Sequence, residues 1–327
     1  MGEGEPKMKV VTLGEIMLRL TPRGFARLVQ AGEFEARYGG AEANVAAALA
    51  NWGEEAVFVS KVPANELGQA AVNSLRAAGV DTRHVLRGGE RLGLYYAERG
   101  ADRRAGKVVY DRADSAFALS RAEEYDWDGI FEGADRFHIT GITPALGRNA
   151  EAVALAACKA AKEHGAAVSL DVNYRSKLWG AAELAKALEA LFAYVDVCII
   201  NENHAKELFG APDERALAER YNFACVAFTY RRTQDALHNS IWGSLYTGGE
   251  RVLSRRYEME MIDRIGGGDA FAAGLLYALG HGFEPQKAVD FAEAASCFKH
   301  SVEGDVCFAS AEEIAALCSG SGGQIER

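Results

Sequence analysis

Short, nearly continuous apolar runs alternate with Ala- and Leu-rich stretches along most of the chain, and this alternation restricts the fold more than any other feature. Lys9–Leu13, Ala56–Ser60, Phe137–Thr140, Ala167–Asp171, Val195–Ile200 and Ala224–Thr229 read as strands. Ala41–Trp52, Glu66–Ala78, Asn149–His164, Ala181–Phe192 and Pro285–His300 read as helices. Strands that are apolar on both faces need helices on both sides of their sheet. The pattern therefore predicts an α/β protein with a doubly wound, mostly parallel sheet. Ligand sites in such sheets gather beyond the carboxyl ends of the strands.

Two segments, about residues 15–38 and 91–112, interrupt the alternation. They mix strand-like pieces (Gly93–Ala97, Lys107–Tyr110) with glycines and charged residues, as a small half-exposed β-layer would. Such a layer is either surface decoration or a lid over a site. No repeat or low-complexity linker divides the 327 residues, so one domain spanning 1–327 is expected, with a disordered Gly/Ser-rich tail at 319–327.

Charge narrows the function classes. The chain has 36 Lys and Arg against 46 Asp and Glu, a net charge of −10, which argues against nucleic acid or a membrane surface as partner. No run approaches the roughly eighteen apolar residues of a membrane span. The charged N-terminus has no apolar segment after it, and the six cysteines are scattered. Cys198 and Cys225 sit in apolar runs and read as small buried hydrophobes. A cytoplasmic small-molecule enzyme fits best.

The sharpest local feature is Asp263-Arg264-Ile265-Gly266-Gly267-Gly268-Asp269, which leads into the apolar stretch Ala270–Leu279. Glycines at a helix N-terminus let backbone N–H groups converge on an anion. A carboxylate at that end can take a proton from an attacking hydroxyl. A flexible loop with Asp269 as a plain helix cap is the bland alternative. Two more stretches accompany the turn. Gly14-Glu15-Ile16-Met17 ends the first strand, and Gly39-Gly40-Ala41-Glu42-Ala43-Asn44 opens the first helix. In this order the three resemble the ribokinase-like (PfkB-type) carbohydrate kinases, and the resemblance extends over about residues 9–315.

The resemblance implies a ribokinase-like fold with a β lid, and Gly266-Gly267-Gly268-Asp269 stands where the family has G-A-G-D. It makes Asp269 the catalytic base and the amides of Gly266, Gly267 and Gly268 the cradle for the transferring phosphoryl group. ATP with Mg²⁺ would be the donor, a monovalent cation is a further family cofactor, and a homo-oligomer is the usual assembly. Asn173, Thr229 and Arg231 correspond to nucleotide-side positions, together with Gly266 and Gly268. Where the family often has Asn-x-x-Glu near the metal, this chain has Asn201-Glu202-Asn203-His204. Phe228 and Trp242 are expected in the core.

Further stretches resemble the 2-keto-3-deoxygluconate kinase branch: Gly14–Leu20, Thr140–Leu146, Asp171-Val172-Asn173-Tyr174-Arg175, and Lys299-His300-Ser301 with Glu303-Gly304-Asp305. By position, Gly40, Asn44, Tyr95, Tyr110, Arg112, Arg175 and Asp305 would hold the sugar. Kinases of neutral sugars usually carry a hydroxyl-accepting Asp shortly after the first strand, where this chain has Leu18-Arg19. With that carboxylate absent, Arg112 and Arg175 become planar donors for an acidic sugar. Arg19 itself is expected on a solvated face; without the resemblance Tyr95 and Tyr110 read as cross-strand packing, and Arg175 is equally consistent with a surface ion pair. A fructokinase- or ribokinase-like enzyme, and a sensor that has lost catalysis, remain the alternatives.

Overall fold

The computed structural model describes residues 7–320. In chain order the strands are β1 (Lys9–Leu13), β2 (Met17–Pro22), β3 (Phe34–Gly39), β4 (Glu55–Val62), β5 (Val85–Arg87), β6 (Leu94–Glu98), β7 (Lys107–Asp111) and β8 (Arg136–Thr140). They continue with β9 (Ala167–Asp171), β10 (Val197–Asn201), β11 (Cys225–Thr233), β12 (His238–Thr247), β13 (Glu250–Leu253) and β14 (Tyr257–Glu260). The helices are α1 (Ala41–Asn51), α2 (Glu66–Ala77), α3 (Trp127–Phe131), α4 (Arg148–Glu163), α5 (Ala181–Phe192), α6 (Glu202–Phe209), α7 (Glu214–Tyr221), α8 (Gly267–Gly280), α9 (Pro285–His300) and α10 (Ala311–Ser319).

The large sheet has the order β13-β12-β11-β10-β9-β8-β1-β4-β5, with β14 also pairing to β12. From β11 to β5 every pairing is parallel, while β12 to β14 extend the sheet antiparallel. Alternate residues of one strand feed opposite cores. Val10 enters the core built with α1, α2, α8, α9 and α10, whereas Val11 and Leu13 enter the core built with α3 to α7. Helix α8 is apolar nearly all round because it lies between the sheet, α1 and α9. Gly274 lets α9 approach, since a Cβ there would stand 2.8 Å from the Cα of Ala292.

The alternation thus gives the doubly wound sheet, with each expected strand and helix present and ends shifted by a few residues. The antiparallel edge is not in that pattern. Asn239, Ser240, Gly243 and Ser244 break up β12, so it lacks a continuous apolar run. The pair α6 and α7 is also new: each helix is eight residues long, separated by Gly210 in the left-handed region and by Asp213, whose side chain caps Ala216. Ser319 closes α10 with Gly320 as its cap, so the expected tail is ordered up to there, and its remainder, 321–327, lies outside the described residues. Cys198 and Cys225 are buried in the two cores as expected. Among the described residues no helix is long and apolar enough to cross a membrane.

The two interrupting segments form one separate four-stranded sheet, β3-β2-β6-β7. Met17, Tyr95 and Ala97 make its small inner core, with Val108, Tyr110 and Ile265 packed against it. Phe34 and Val109 of its strands are exposed, as is Val29 in the turn between β2 and β3. The chain enters this sheet after β1 and again after β5 and returns to the main body after β3 and after β7, and a buried ion pair between Glu15 and Arg112 ties the first and last of these crossings together.

The C-terminal segment is held by Trp52, whose indole N–H donates to the Ala309 carbonyl at 2.8 Å and whose rings meet Tyr277 and Phe291 edge-on. Trp52→Ala removes this packing and leaves a cavity, so urea unfolding should show a loss of about 3–5 kcal/mol. A loss below about 1 kcal/mol would contradict this account of how the segment is anchored.

Candidate active site

A cleft of about 680 Å³ runs between the carboxyl ends of the parallel strands and the inner face of the small sheet. Glu15 follows β1, Asp171 ends β9 with Asn173 just beyond, Asn201 ends β10, and Thr229 lies on β11, all lining the cleft. Asn173 holds a left-handed backbone, φ 40°, and its N–H donates to Asp171 Oδ1 at 3.0 Å. Tyr95 and Tyr110 roof the cleft. They are also register partners with ring centres 6.0 Å apart, so cross-strand packing and a place over the cleft both hold.

Two helix N-termini meet at the cleft floor. Gly40 precedes α1 in an extended conformation, and a Cβ there would stand 2.0 Å from the Glu15 carbonyl oxygen. Its N–H donates to Asn44 Oδ1, and Asn44 Nδ2 donates to Asp269 Oδ2 at 2.7 Å. Asp269 occupies the third position of α8, behind Gly266 at φ 87°. The first-turn N–H groups of a helix have no intrahelical partner, so this turn offers donors to an anion beside a carboxylate. Gly266 and Gly268 line the cleft. Gly267 faces inward, where a Cβ would stand 2.1 Å from the His300 ring. Glycine here in place of the family's alanine is therefore matched to His300.

Burial raises Asp269 to about 6, against the Asn44 hydrogen bond and the nearby Arg175. Asp171 is raised further, to about 7, by burial and by the negative charge of Asp269. Glu42 is a third buried carboxylate. Its Oε1 accepts from the Thr140 N–H, the Thr140 hydroxyl and the Thr143 hydroxyl at 2.8–3.0 Å. It joins the start of α1 to the loop after β8, and it fills the space left by the missing side chain of Gly14. His204 is held in the neutral direction by burial and meets Tyr174 edge-on.

Of the residues singled out in the sequence, Gly40, Asn44, Tyr95, Tyr110, Arg112, Asn173, Arg175, Thr229, Arg231, Gly266, Gly268, Asp269 and Asp305 all line this cleft. Four expectations change. Arg19 is 2% exposed and pairs with Asp263 and Asp305, because its strand turns that side toward the body. A carboxylate does follow the first strand: it is Glu15, and it takes the Nε and Nη2 of Arg112. Arg112 thus keeps only part of its donor fork for a ligand. Trp242 is not core: it is half-buried, stacked on Tyr230 at 5.3 Å with Arg256 on its ring, since β12 lies at the margin of the sheet. Phe228 is core, as expected.

Arg175, Arg231 and Arg264 enter the cleft, and among the described residues none of the three is held in a salt bridge. Burial and the like charges of Arg264 and Arg175 lower Arg231 to about 10, against the pull of Glu293. Arg264, Glu15, Glu42 and Asp171 stand within the quoted motifs without a role assigned to them, and Glu293 lies in none, yet all five line the cleft. For Glu42 in α1 and Glu293 in α9 the signal is a charged residue inside an apolar or Ala-rich run.

The fit of Gly267 to His300 is directly testable. Gly267→Ala should cost about 1–3 kcal/mol in thermal unfolding, as overpacking does. In a His300→Ala background the same change should cost less than half as much, and equal costs in both backgrounds would refute the contact.

Comparison with known proteins places the fold and the family. The sequence profile of the pfkB family carbohydrate kinases matches residues 7–310. The chain is 34% identical over 325 residues to 2-dehydro-3-deoxygalactonokinase of Haloferax volcanii, covering 98% of this chain and 99% of that one. It is 28% identical to 2-dehydro-3-deoxygluconokinase of Thermoproteus tenax, over 92% and 91% of the two chains. Among solved structures, 2-dehydro-3-deoxygluconokinase of Thermotoga maritima superposes with a TM-score of 0.93 at 44% identity, over 96% of this chain and all of that one. A chain with this sheet, this glycine turn and this near-complete match belongs to the pfkB family of carbohydrate kinases, phosphotransferases that act on an alcohol group.

Proposed function

We propose that this kinase transfers the γ-phosphoryl group of ATP to the 6-hydroxyl of 2-keto-3-deoxygluconate, giving 2-keto-3-deoxy-6-phosphogluconate and ADP. The observation that carries the reading is the Asp269 carboxylate, held by Asn44 beside a glycine turn at a helix N-terminus, in one cleft with Arg175. Asp269 takes the proton of the 6-hydroxyl as its oxygen bonds to the γ-phosphorus. The bond from that phosphorus to the bridging oxygen breaks, and ADP leaves with the electron pair. N–H groups at Gly266–Gly268 and the start of α8 stabilise the charge on the transferring group. The guanidiniums of Arg231 and Arg264, neither of them in a salt bridge among the described residues, meet the donor phosphates, next to Thr229 and Asn173.

The sugar lies under Tyr95 and Tyr110, between Gly40, Asn44 and Asp305, and its carboxylate falls to Arg175, with the free edge of Arg112 taking the keto oxygen. Among the described residues no group of three or more His, Cys, Asp or Glu side chains is arranged to hold a metal ion by itself. Asp171, which ends β9 and lines the cleft, is the carboxylate through which the chain would hold a hydrated Mg²⁺ accompanying the phosphates. Mg²⁺ bound there would neutralise phosphate charge during transfer.

The galactose-configured epimer is a second reading, favoured by the name of the Haloferax volcanii relative. A panel of 2-keto-3-deoxygluconate, its galactonate epimer, fructose and ribose with ATP and Mg²⁺ decides. The keto-acids should exceed the neutral sugars in kcat/KM by at least about tenfold, and a preference for fructose or ribose would overturn the reading.

Asp269→Asn should lower kcat by about 10³-fold while ADP binding, measured by calorimetry, is retained. Near wild-type turnover would remove Asp269 from its role. The base works ionised, so kcat/KM should rise with pH through about 6 and level off above it. Arg175→Ala should raise the KM for the keto-acid at least about tenfold and that for ATP less than about threefold. Equal effects would assign Arg175 to the nucleotide.

A further inference from the structure

A buried charge cluster lies where the small sheet meets the glycine turn, and Arg19 is its centre. Arg19 stands on β2 beside its register neighbour Tyr95, on the inner face of the small sheet. Its Nε donates to the Thr21 hydroxyl at 2.9 Å, its Nη2 to Asp263 Oδ2 at 2.7 Å and its Nη1 to Asp305 Oδ2 at 3.1 Å. Every arm of the guanidinium is therefore engaged.

Its two carboxylate partners reach the catalytic turn by different routes. Asp263 opens the segment leading to Gly266–Asp269. It accepts from the Ile265 N–H on Oδ1 and from the Gly304 N–H on Oδ2, both at 3.1 Å. Asp305 accepts the Tyr95 hydroxyl on Oδ1. The main-chain oxygen of Asp305 lies where Gly266 has no side chain, 1.8 Å from the position a Cβ would take. Gly266 thus rests directly on residue 305. Lys299, fully buried nearby, donates to the Asp263 and Val302 carbonyls and reaches neither carboxylate by hydrogen bond. One planar fork joins the strand of the small sheet, the entry to the glycine turn and the surface on which that turn rests. A single ammonium cannot satisfy these partners with the same geometry.

We propose that Arg19 is a positioning residue that locks the small sheet to the glycine turn, so that seating the sugar under Tyr95 and shaping the anion cradle at Gly266–Gly268 are one event. The kinetic consequence rests on the kinase reading above, whereas the mechanical link does not.

The test compares Arg19→Lys and Arg19→Met with the unaltered protein by hydrogen exchange without ligand, and then by kinetics. In Arg19→Lys, exchange in segment 263–268 and at Gly304 should quicken at least about tenfold, while amides inside α8 and the central strands stay within about twofold. Its kcat should fall and its KM for the sugar rise, each at least about fivefold, with the Kd for ADP within about threefold. Arg19→Met should show the same pattern more strongly, so that lysine rescues part of the loss. If Arg19→Met does not fold, the lysine variant alone decides. Unchanged exchange at 263–268, a uniform rise over the whole chain, or a loss confined to ADP binding would each overturn the proposal. A wild-type chain that phosphorylates none of the sugars would defeat the kinase reading, and the exchange rates at 263–268 would then decide the role of Arg19 alone.

Discussion

A charge taken out of water must be paired, and beside apolar contacts of Leu18, Leu20, Leu94 and Ile265 the small sheet meets the main body through charges taken out of water. Arg19 faces Asp263 and Asp305, and Arg112 faces Glu15, in both cases with side chains almost closed to solvent. Neither arginine is positioned without its carboxylates, and those carboxylates come from segments far apart in the chain. This requirement fixes how the roof of the cleft sits over its floor. It also disposes the remaining charge: Arg19 is satisfied inside the protein and Arg112 in part, whereas Arg175, Arg231 and Arg264 line the cleft without a salt bridge among the described residues. The cleft therefore holds these guanidiniums beside its buried carboxylates.

The floor obeys a steric constraint of the same kind. Gly40 abuts the Glu15 carbonyl, Gly266 abuts the Asp305 carbonyl and Gly267 abuts the His300 ring. These approaches let the N-termini of α1 and α8 meet, so that Asn44 reaches Asp269. Asp269 then lies beside Asp171 and near Glu42; burial raises the proton affinity of all three, and neighbouring carboxylates add to the rise at Asp269 and Asp171. A base of that strength is matched to proton transfer near neutral pH. Donors for an anion and an acceptor for a proton thus come from one packing arrangement.

Much of this is legible in the sequence because periodicity and composition act locally. The apolar runs have to be covered strands, the apolar stretch after Gly268 has to be a buried helix, and the two Gly- and charge-rich interruptions cannot continue the main sheet. Those interruptions pair with each other, as β2, β3, β6 and β7. The antiparallel edge escapes the pattern because polar residues in β12 hide its strand character, and the position of Trp242 escapes with it. The burial of Arg19 escapes because alternation along a strand says that a side chain changes face, not which face is inside.

The sequence by itself determined the layers of the fold, the glycine turn with its aspartate, and the residue types around the cleft, since each is set by neighbours in the chain. Only the tertiary structure decided which charges are spent on the protein and which are left for a ligand. Arg19 and Arg175 look alike in the sequence, yet one is enclosed by two carboxylates and the other opens into the cleft. That difference depends on partners 244 and 286 residues away from Arg19, which only the folded chain brings within a hydrogen bond.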